Sequence, residues 1–385
     1  MRPKFIVNPA FLALAVLSGA SLACASINAL LPAPTATVIP SLTATALPTD
    51  TAVPTLPPTQ TALPPTPIPP TLSPTPTPLP TPEPMVRLMT VGDVMLGRTV
   101  GVAIVKQGIE KPFANVADTL NLADLLMFNL ECPIGKRGQP YGKAYNFLCP
   151  PEAADTLKLI GTDLVSWGNN HSFDYGFVAM EEGWNLLTER DIKIVGLGWN
   201  DTQVRTPVLL ERNGITFAVL SYVDVPVEDY GFDTRTWLAS PTYPGIAWAI
   251  PEHIAADVAA IKPQVDHVIV MFQNGFEGRT NPTEAQILQA HTAIDAGASL
   301  VIGSHPHLLQ PYEAYNNGLI FYSLGNFVFD GFVGNENKSV IAEVLFTKTE
   351  VHNHFLYPVV IELGFPRLAT DLEAPEILSL IPPFR

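Results

Sequence analysis

Residues 85–385 predict an α/β domain, and three observations carry that expectation. A series of short apolar runs shows little alternation, as strands covered on both faces do. Each run breaks off abruptly into polar residues, and helix-like stretches separate several of them. The span of about 300 residues is also enough for one domain with a well-buried core.

In chain order, VRLMTV leads to Gly92-Asp93, LLMFNL to Glu131, and DLVSW to Asn169-Asn170-His171. HVIVMF then leads to Gln273-Asn274-Gly275-Phe276-Glu277, SLVIG to His305-Pro306-His307, and LIFYSL to Gly325-Asn326. After the third run, Phe177, Met180, Trp184 and Leu187 fall on one helical face. NPTEAQILQAHTAIDAG predicts a helix capped by Asn281, with Pro282 first, Glu284 three residues after the cap, and closure at Gly297. SVIAEVLF and FLYPVVIEL read as late strands completing a sheet. Alternating strands and helices define an α/β domain. Ligands gather beyond the carboxyl ends of strands in such sheets, and that is where the polar clusters fall.

Asp93, Glu131, Asn170, His305 and His307 form a mixed oxygen and imidazole set that suits Mn, Fe or Zn better than a thiolate-seeking metal. A carboxylate can bridge two ions, and two close ions can generate a hydroxide and clamp a phosphoryl group. His305 and His307 would share a face on a regular strand, but Pro306 predicts a turn. His171 is the candidate acid for a leaving group. Asp174 either holds its imidazole or caps the following helix. A strand-end Asp alone is usually a turn or cap residue, so the signal lies in the succession of strand ends. His291 sits at helical spacing with Ile287 and Ile294, which predicts packing; His253, His267, His352 and His354 are read as structural. Gly325-Asn326 either shapes the site floor or forms only a turn. Arg98, Lys136, Arg137 and Lys143 follow two of the site loops and are candidates for a local basic patch.

Residues 1–25 read as a secretory signal, with Arg2 and Lys4 before an apolar stretch too short to span a membrane. Ala23-Cys24-Ala25 fits a cleavage site and a free secreted protein; Ser21 to Cys24 approximates a lipobox and a lipid anchor at Cys24, and both endings stay open. Residues 26–84 are rich in Pro and Thr and predict an extended stalk without a core. At about 3.1 Å per residue it could hold a domain more than about 100 Å from its anchor. The expected location is therefore the cell surface or the medium. Of three cysteines, Cys132 and Cys149 remain if Cys24 is lipidated or removed, either as a disulfide or as two core thiols. The formal charge of −15, with no Lys/Arg-rich run, argues against a nucleic-acid partner.

GDVMLGR, NLECPIG, NNHSFDYG, DAGASLVIGSHPHLLQP and YSLGNFVFD, in this order, resemble the successive motifs of the CapA-type capsule-synthesis proteins. Those proteins are associated with bacterial poly-γ-glutamate and belong to the calcineurin-like metallophosphatase superfamily. The resemblance covers nearly all of residues 85–365 and implies a four-layer αββα sandwich of the metallophosphatase type, two sheets face to face with helices outside. It implies that Asp93 is the first-motif metal ligand, Glu131 the bridging carboxylate, Asn170 a second-metal ligand and His171 the catalytic imidazole. His305 and His307 would complete the shells of one or two divalent ions, Mn, Fe, Zn or Mg.

The chain departs from the pattern at named positions. The superfamily's Asp-x-His is Asp93-Val94-Met95 here, and Ser304 stands where a His often precedes His-Pro-His. The family's His-Trp-Gly-x-Glu is Gln273-Asn274-Gly275-Phe276-Glu277, so Gln273 is expected to coordinate through its amide oxygen, more weakly than an imidazole. The implied function is an exported protein of capsule or poly-γ-glutamate synthesis, acting as a metal-dependent hydrolase on a phosphoester or an envelope polymer, with membrane proteins of capsule synthesis as partners. The alternative is a catalytically impaired member that binds an anionic polymer or an export partner, for which a charge of −15 is awkward.

Overall fold

The computed structural model describes residues 83–228 and 231–384; the signal-like segment and nearly all of the expected stalk lie outside the described residues. Strands β1 (Val86–Val94) and β2 (Leu125–Leu130) show why two sheets form. Along β2, Leu125 and Met127 enter one buried cluster, while Leu126 and Phe128 enter another. Successive side chains point to opposite faces, so a continuous apolar run covers both.

In the first sheet, β3 (Leu164–Ser166) and β4 (Lys193–Val195) continue in parallel beyond β2. On the other side of β1, the antiparallel strands β14 (Lys338–Phe346), β15 (Val351–Glu362) and β16 (Phe365–Leu368) extend it, and β13 (Asn326–Val328) pairs with the end of β1. The second sheet is built from β6 (Val208–Arg212), β7 (Ile215–Asp224), β9 (His267–Asn274), β10 (Leu300–Ser304), β11 (Tyr312–Tyr315) and β12 (Gly318–Phe321). Its strands β7, β9, β10 and β12 run parallel. A small ribbon pairs β5 (Leu197–Gly198) with β8 (Gly245–Ile246).

Leu88, Leu125 and Met127 meet Phe217, Ile269, Met271 and Phe321 between the sheets. The outer face of the first sheet is covered by α1 (Arg98–Gln107), α3 (Glu152–Leu159) and α4 (Gly176–Thr188) through Val100, Ile104, Leu157, Met180 and Leu187, with the short α2 (Ala117–Leu120) contributing Leu120. The second is covered by α5 (Pro251–Ile261) and α6 (Glu284–Asp295) through Ile254, Val258, Ala290 and Ala293, while Ile377 of α7 (Ala374–Ser379) closes the inter-sheet core. The result is the expected four-layer αββα sandwich. Among the described residues no helix is long and apolar enough to cross a membrane.

Two local expectations change or resolve. Helix α6 is capped by Thr283, not Asn281: the Thr283 hydroxyl accepts from the Gln286 amide, and the Gln286 side chain accepts from the Thr283 amide. This reciprocal pair satisfies two donors that a cap at Asn281 would leave open. Cys132 and Cys149 form a disulfide, with Cα atoms 6.1 Å apart and a sequence separation of 17. A closed loop of this size contributes about 3 kcal/mol in the chain-entropy model.

Candidate metal centre at the strand ends

The parallel strands deliver the expected residues to one place. Asp93 ends β1 beside Gly92, where an added Cβ would fall 2.1 Å from the Gly325 oxygen; only a glycine lets the chain approach so closely. The Asp93 amide donates to that same oxygen at 2.9 Å. Glu131 follows β2, Asn170 and His171 follow β3, Gln273 lies near the end of β9, and His305 and His307 follow β10. The His-Pro-His segment turns, as Pro306 predicts, with φ of 99° at His305 and 56° at His307. Left-handed backbone at non-glycine residues is uncommon and concentrates where surrounding structure enforces it. All these side chains are buried, as is Asp174.

One half of the centre is anionic. His307 places Nδ1 3.2 Å from Asp93 Oδ2 and Nε2 3.6 Å from Glu131 Oε1, while His171 Nε2 lies 3.9 Å from that oxygen. Asn326 Oδ1 stands 2.8 Å from His307 Nδ1, so this residue does shape the floor. Asn129 donates from Nδ2 to Asp93 Oδ1 at 2.9 Å and to Glu131 Oε2 at 3.1 Å. Glu131 Oε1 is left without a hydrogen bond. An orphaned buried carboxylate oxygen needs a reason. Glu131, His305 and His307 each offer one ligand atom, all within 4.8 Å of one another. That donor set fits a divalent cation.

The electrostatics agree. Burial, then the charge of Asp93, pushes Glu131 well above the usual carboxylate range. Burial opposes a charge on His307, yet Glu131 and Asp93 outweigh it and push the imidazole up to about 10. Burial and the neighbouring His307 hold His305 well below its ordinary value. Asp93 and Glu131 crowd each other's charge, and a positive charge beside them, on His307 or on a cation, relieves it.

The other half is built from amides. Gln273 lies beside Asn170 and His305, but its Oε1 faces Ser304, accepting from Oγ at 2.8 Å. Its Nε2 donates to Asn170 Oδ1 at 2.9 Å and stands 3.4 Å from His305 Nδ1. The expected amide-oxygen ligand is therefore turned away, toward the Ser304 hydroxyl, which also lies 2.7 Å from the Phe272 carbonyl oxygen.

Asp174 holds the His171 imidazole, with Oδ2 2.6 Å from Nδ1, and does not cap α4. Lys143 is fully buried behind this pair: its Nζ is 2.9 Å from Asp174 Oδ1, 2.8 Å from Glu228 Oε1 and 2.6 Å from the Asn170 carbonyl oxygen. The Phe147 ring stacks on His171 at 4.2 Å. Burial pushes Asp174 up to about 7, against the pull of Lys143 and the Phe147 amide. Burial and Lys143 hold His171 well below its ordinary value, so it is a neutral imidazole near pH 7.

The expected basic patch forms only in part: Arg98 and Lys136 line one cavity of about 430 Å³ with Lys106, and Arg137 and Lys143 do not join them. Lys143 is consumed by Asp174 and Glu228, Arg98 pairs with Asp330 at 3.0 Å, and Arg137 lies 3.4 Å from Glu182 and 3.8 Å from Glu181. The cavity of about 290 Å³ above His305 is lined instead by Glu228 and Glu277. His291, bonded to Glu313 at 3.0 Å and stacked on Tyr315, and His267, bonded to Ser299 and the Thr347 carbonyl, keep to packing roles. Asn129 and Glu228 are site residues that the sequence reading does not name, and Lys143 enters it only as part of a basic patch. Asn129 had left a signal, an amide inside the apolar run LLMFNL, where a buried polar side chain must find partners.

The fold and the site together define a sandwich protein with a buried carboxylate–imidazole centre at the ends of its parallel strands. The chain belongs to the family described as bacterial capsule synthesis protein PGA_cap, whose model matches residues 87–331. It is 31% identical over 243 residues to the PGA biosynthesis protein CapA of Bacillus subtilis, a match covering 62% of this chain and 62% of that protein. It is likewise 31% identical over 248 residues to the capsule biosynthesis protein CapA of Bacillus anthracis, covering 62% of this chain and 59% of that one. The match thus spans less than two thirds of either relative. Among solved structures, a phosphatase of Mycoplasma pneumoniae is similar with a TM-score of 0.48 and 13% identity, covering 78% of this chain and 100% of that one.

Proposed function

We propose that this chain is an exported protein of capsule or poly-γ-glutamate synthesis that works at the cell envelope as a metal-dependent hydrolase of a phosphoester or polymer. The observation that carries the reading is Glu131 Oε1, buried without a hydrogen bond and facing the His171 and His307 imidazoles. Asp93, Glu131, His305 and His307 would hold a divalent ion there, which would supply Lewis acidity and an activated water. The Cys132–Cys149 disulfide supports export, since such bonds persist in oxidising compartments. Lipid attachment at Cys24 or free secretion would both deliver the domain to that place, and membrane proteins of capsule synthesis would be its partners.

The chain's own residues supply proton transfer. Asp174 takes up the Nδ1 side of His171 and leaves Nε2 turned toward Glu131, where it can accept a proton and return it to a leaving group. Lys143 keeps Asp174 ionised enough to fix this orientation. An anionic-polymer binding role gains no support from the acidic rim of Glu228 and Glu277. The test is turnover by the full chain loaded in turn with Mn²⁺, Zn²⁺ and Mg²⁺ on phosphomonoesters, phosphodiesters and poly-γ-glutamate. Turnover that falls about 10²–10⁴-fold in His171→Ala supports the reading. Absence of turnover on every substrate by the loaded chain refutes the hydrolase.

A further inference from the structure

We propose that the Gln273 carboxamide takes the place of a second cation, so that the centre is built for one divalent ion and not for a pair. The inference rests on the metal reading above. Asn170 Oδ1 offers a lone pair that either a cation or an N–H can satisfy. Gln273 Nε2 occupies that place, donating to the oxygen at 2.9 Å and standing 3.4 Å from His305 Nδ1.

The amide is held in this sense from behind. Gln273 sits opposite Ser304 in the register of β9 and β10, and Ser304 Oγ lies 2.8 Å from Oε1. Turning the amide would set its oxygen against Asn170 Oδ1, two acceptors without a proton between them. An ion bonded to Asn170 Oδ1 at about 2.1 Å would fall inside the space of Gln273 Nε2. Gln273 is buried, with 1% of its surface exposed, so it has no solvent-filled space to withdraw into. The contrast with Glu131 is direct: its Oε1 has no hydrogen-bond partner, whereas Asn170 Oδ1 already has the Gln273 N–H.

The experiment is metal content and electron paramagnetic resonance on the full chain, stripped, reloaded with excess Mn²⁺ and desalted. The wild type is expected to hold about one ion per chain with the spectrum of an isolated ion. Gln273→His and Gln273→Glu each replace the carboxamide with a stronger metal ligand, and are expected to reach about two ions per chain with an exchange-coupled spectrum. Gln273→Leu, which removes the donor and adds no ligand, is expected to stay near one. Thermal melting establishes which variants are folded. A coupled pair in the wild type overturns this inference and leaves the metal reading standing. So does a folded Gln273→His or Gln273→Glu that stays at a single ion. A wild type without any bound ion overturns both.

Discussion

Two carboxylate pairs lie side by side in this site, all buried but Glu228, and are balanced in opposite ways. Asp174 and Glu228 share the ammonium group of Lys143, at 2.9 and 2.8 Å. Asp93 and Glu131 have no lysine or arginine within ion-pair distance among the described residues, only imidazoles and the Asn129 amide. The first pair is a closed knot whose cation belongs to the chain. Neither Asp174 Oδ1 nor Glu131 Oε1 has a hydrogen bond, but the first has the Lys143 ammonium 2.9 Å away and the second has no lysine or arginine at that range among the described residues; burial together with Asp93 raises Glu131. The difference separates a cluster that carries its own cation from one that, on the proposal above, takes an external one.

The largest expected effect breaks the closed knot. Lys143→Met leaves two carboxylates without their counter-ion and should cost about 3–5 kcal/mol in denaturant unfolding. A loss under about 1 kcal/mol would mean that Lys143 does not balance them. The open pair should respond instead to metal. Removing an ion present at about 100 times its dissociation constant should lower stability by about 2.7 kcal/mol, with no comparable change in a His305→Ala/His307→Ala variant. An identical response in both would place the ion elsewhere. Asn129→Ala should weaken metal affinity about 10–100-fold, by freeing Asp93 and Glu131 to rotate. Titration showing unchanged affinity would remove Asn129 from that role.

The smallest effect is a slope. In the metal-free protein the Glu131 carboxyl is raised above its ordinary value of 4.5. The folded state therefore holds that proton more tightly than the unfolded state, and stability declines as pH rises above 4.5. Glu131→Gln should lack this part of the decline when unfolding is followed across pH. Parallel curves for the two proteins would show that Glu131 is not strained in the absence of metal.

The strand ends were legible because burial on both faces leaves an unbroken apolar run, and the run's end marks the sheet edge where Asp93, Glu131, Asn170 and the His-Pro-His turn lie. Lys143 was not legible in its true place. It sits in a glycine-containing loop that reads as solvated, and its partner Glu228 is 85 residues away, so only the folded chain brings them together. The same holds for the direction of the Gln273 amide, whose neighbours Ser304 and Asn170 lie on other elements. The Asn281 cap failed for a local reason, a better reciprocal pair two residues further on.

The measurement that bears most directly on the account is calorimetric titration of the metal-stripped full chain with Mn²⁺, beside a folded His305→Ala/His307→Ala variant. Saturable binding by the wild type that is lost in the variant is the predicted result. No binding by the wild type, or equal binding by both, would contradict a metal centre at the ends of these strands.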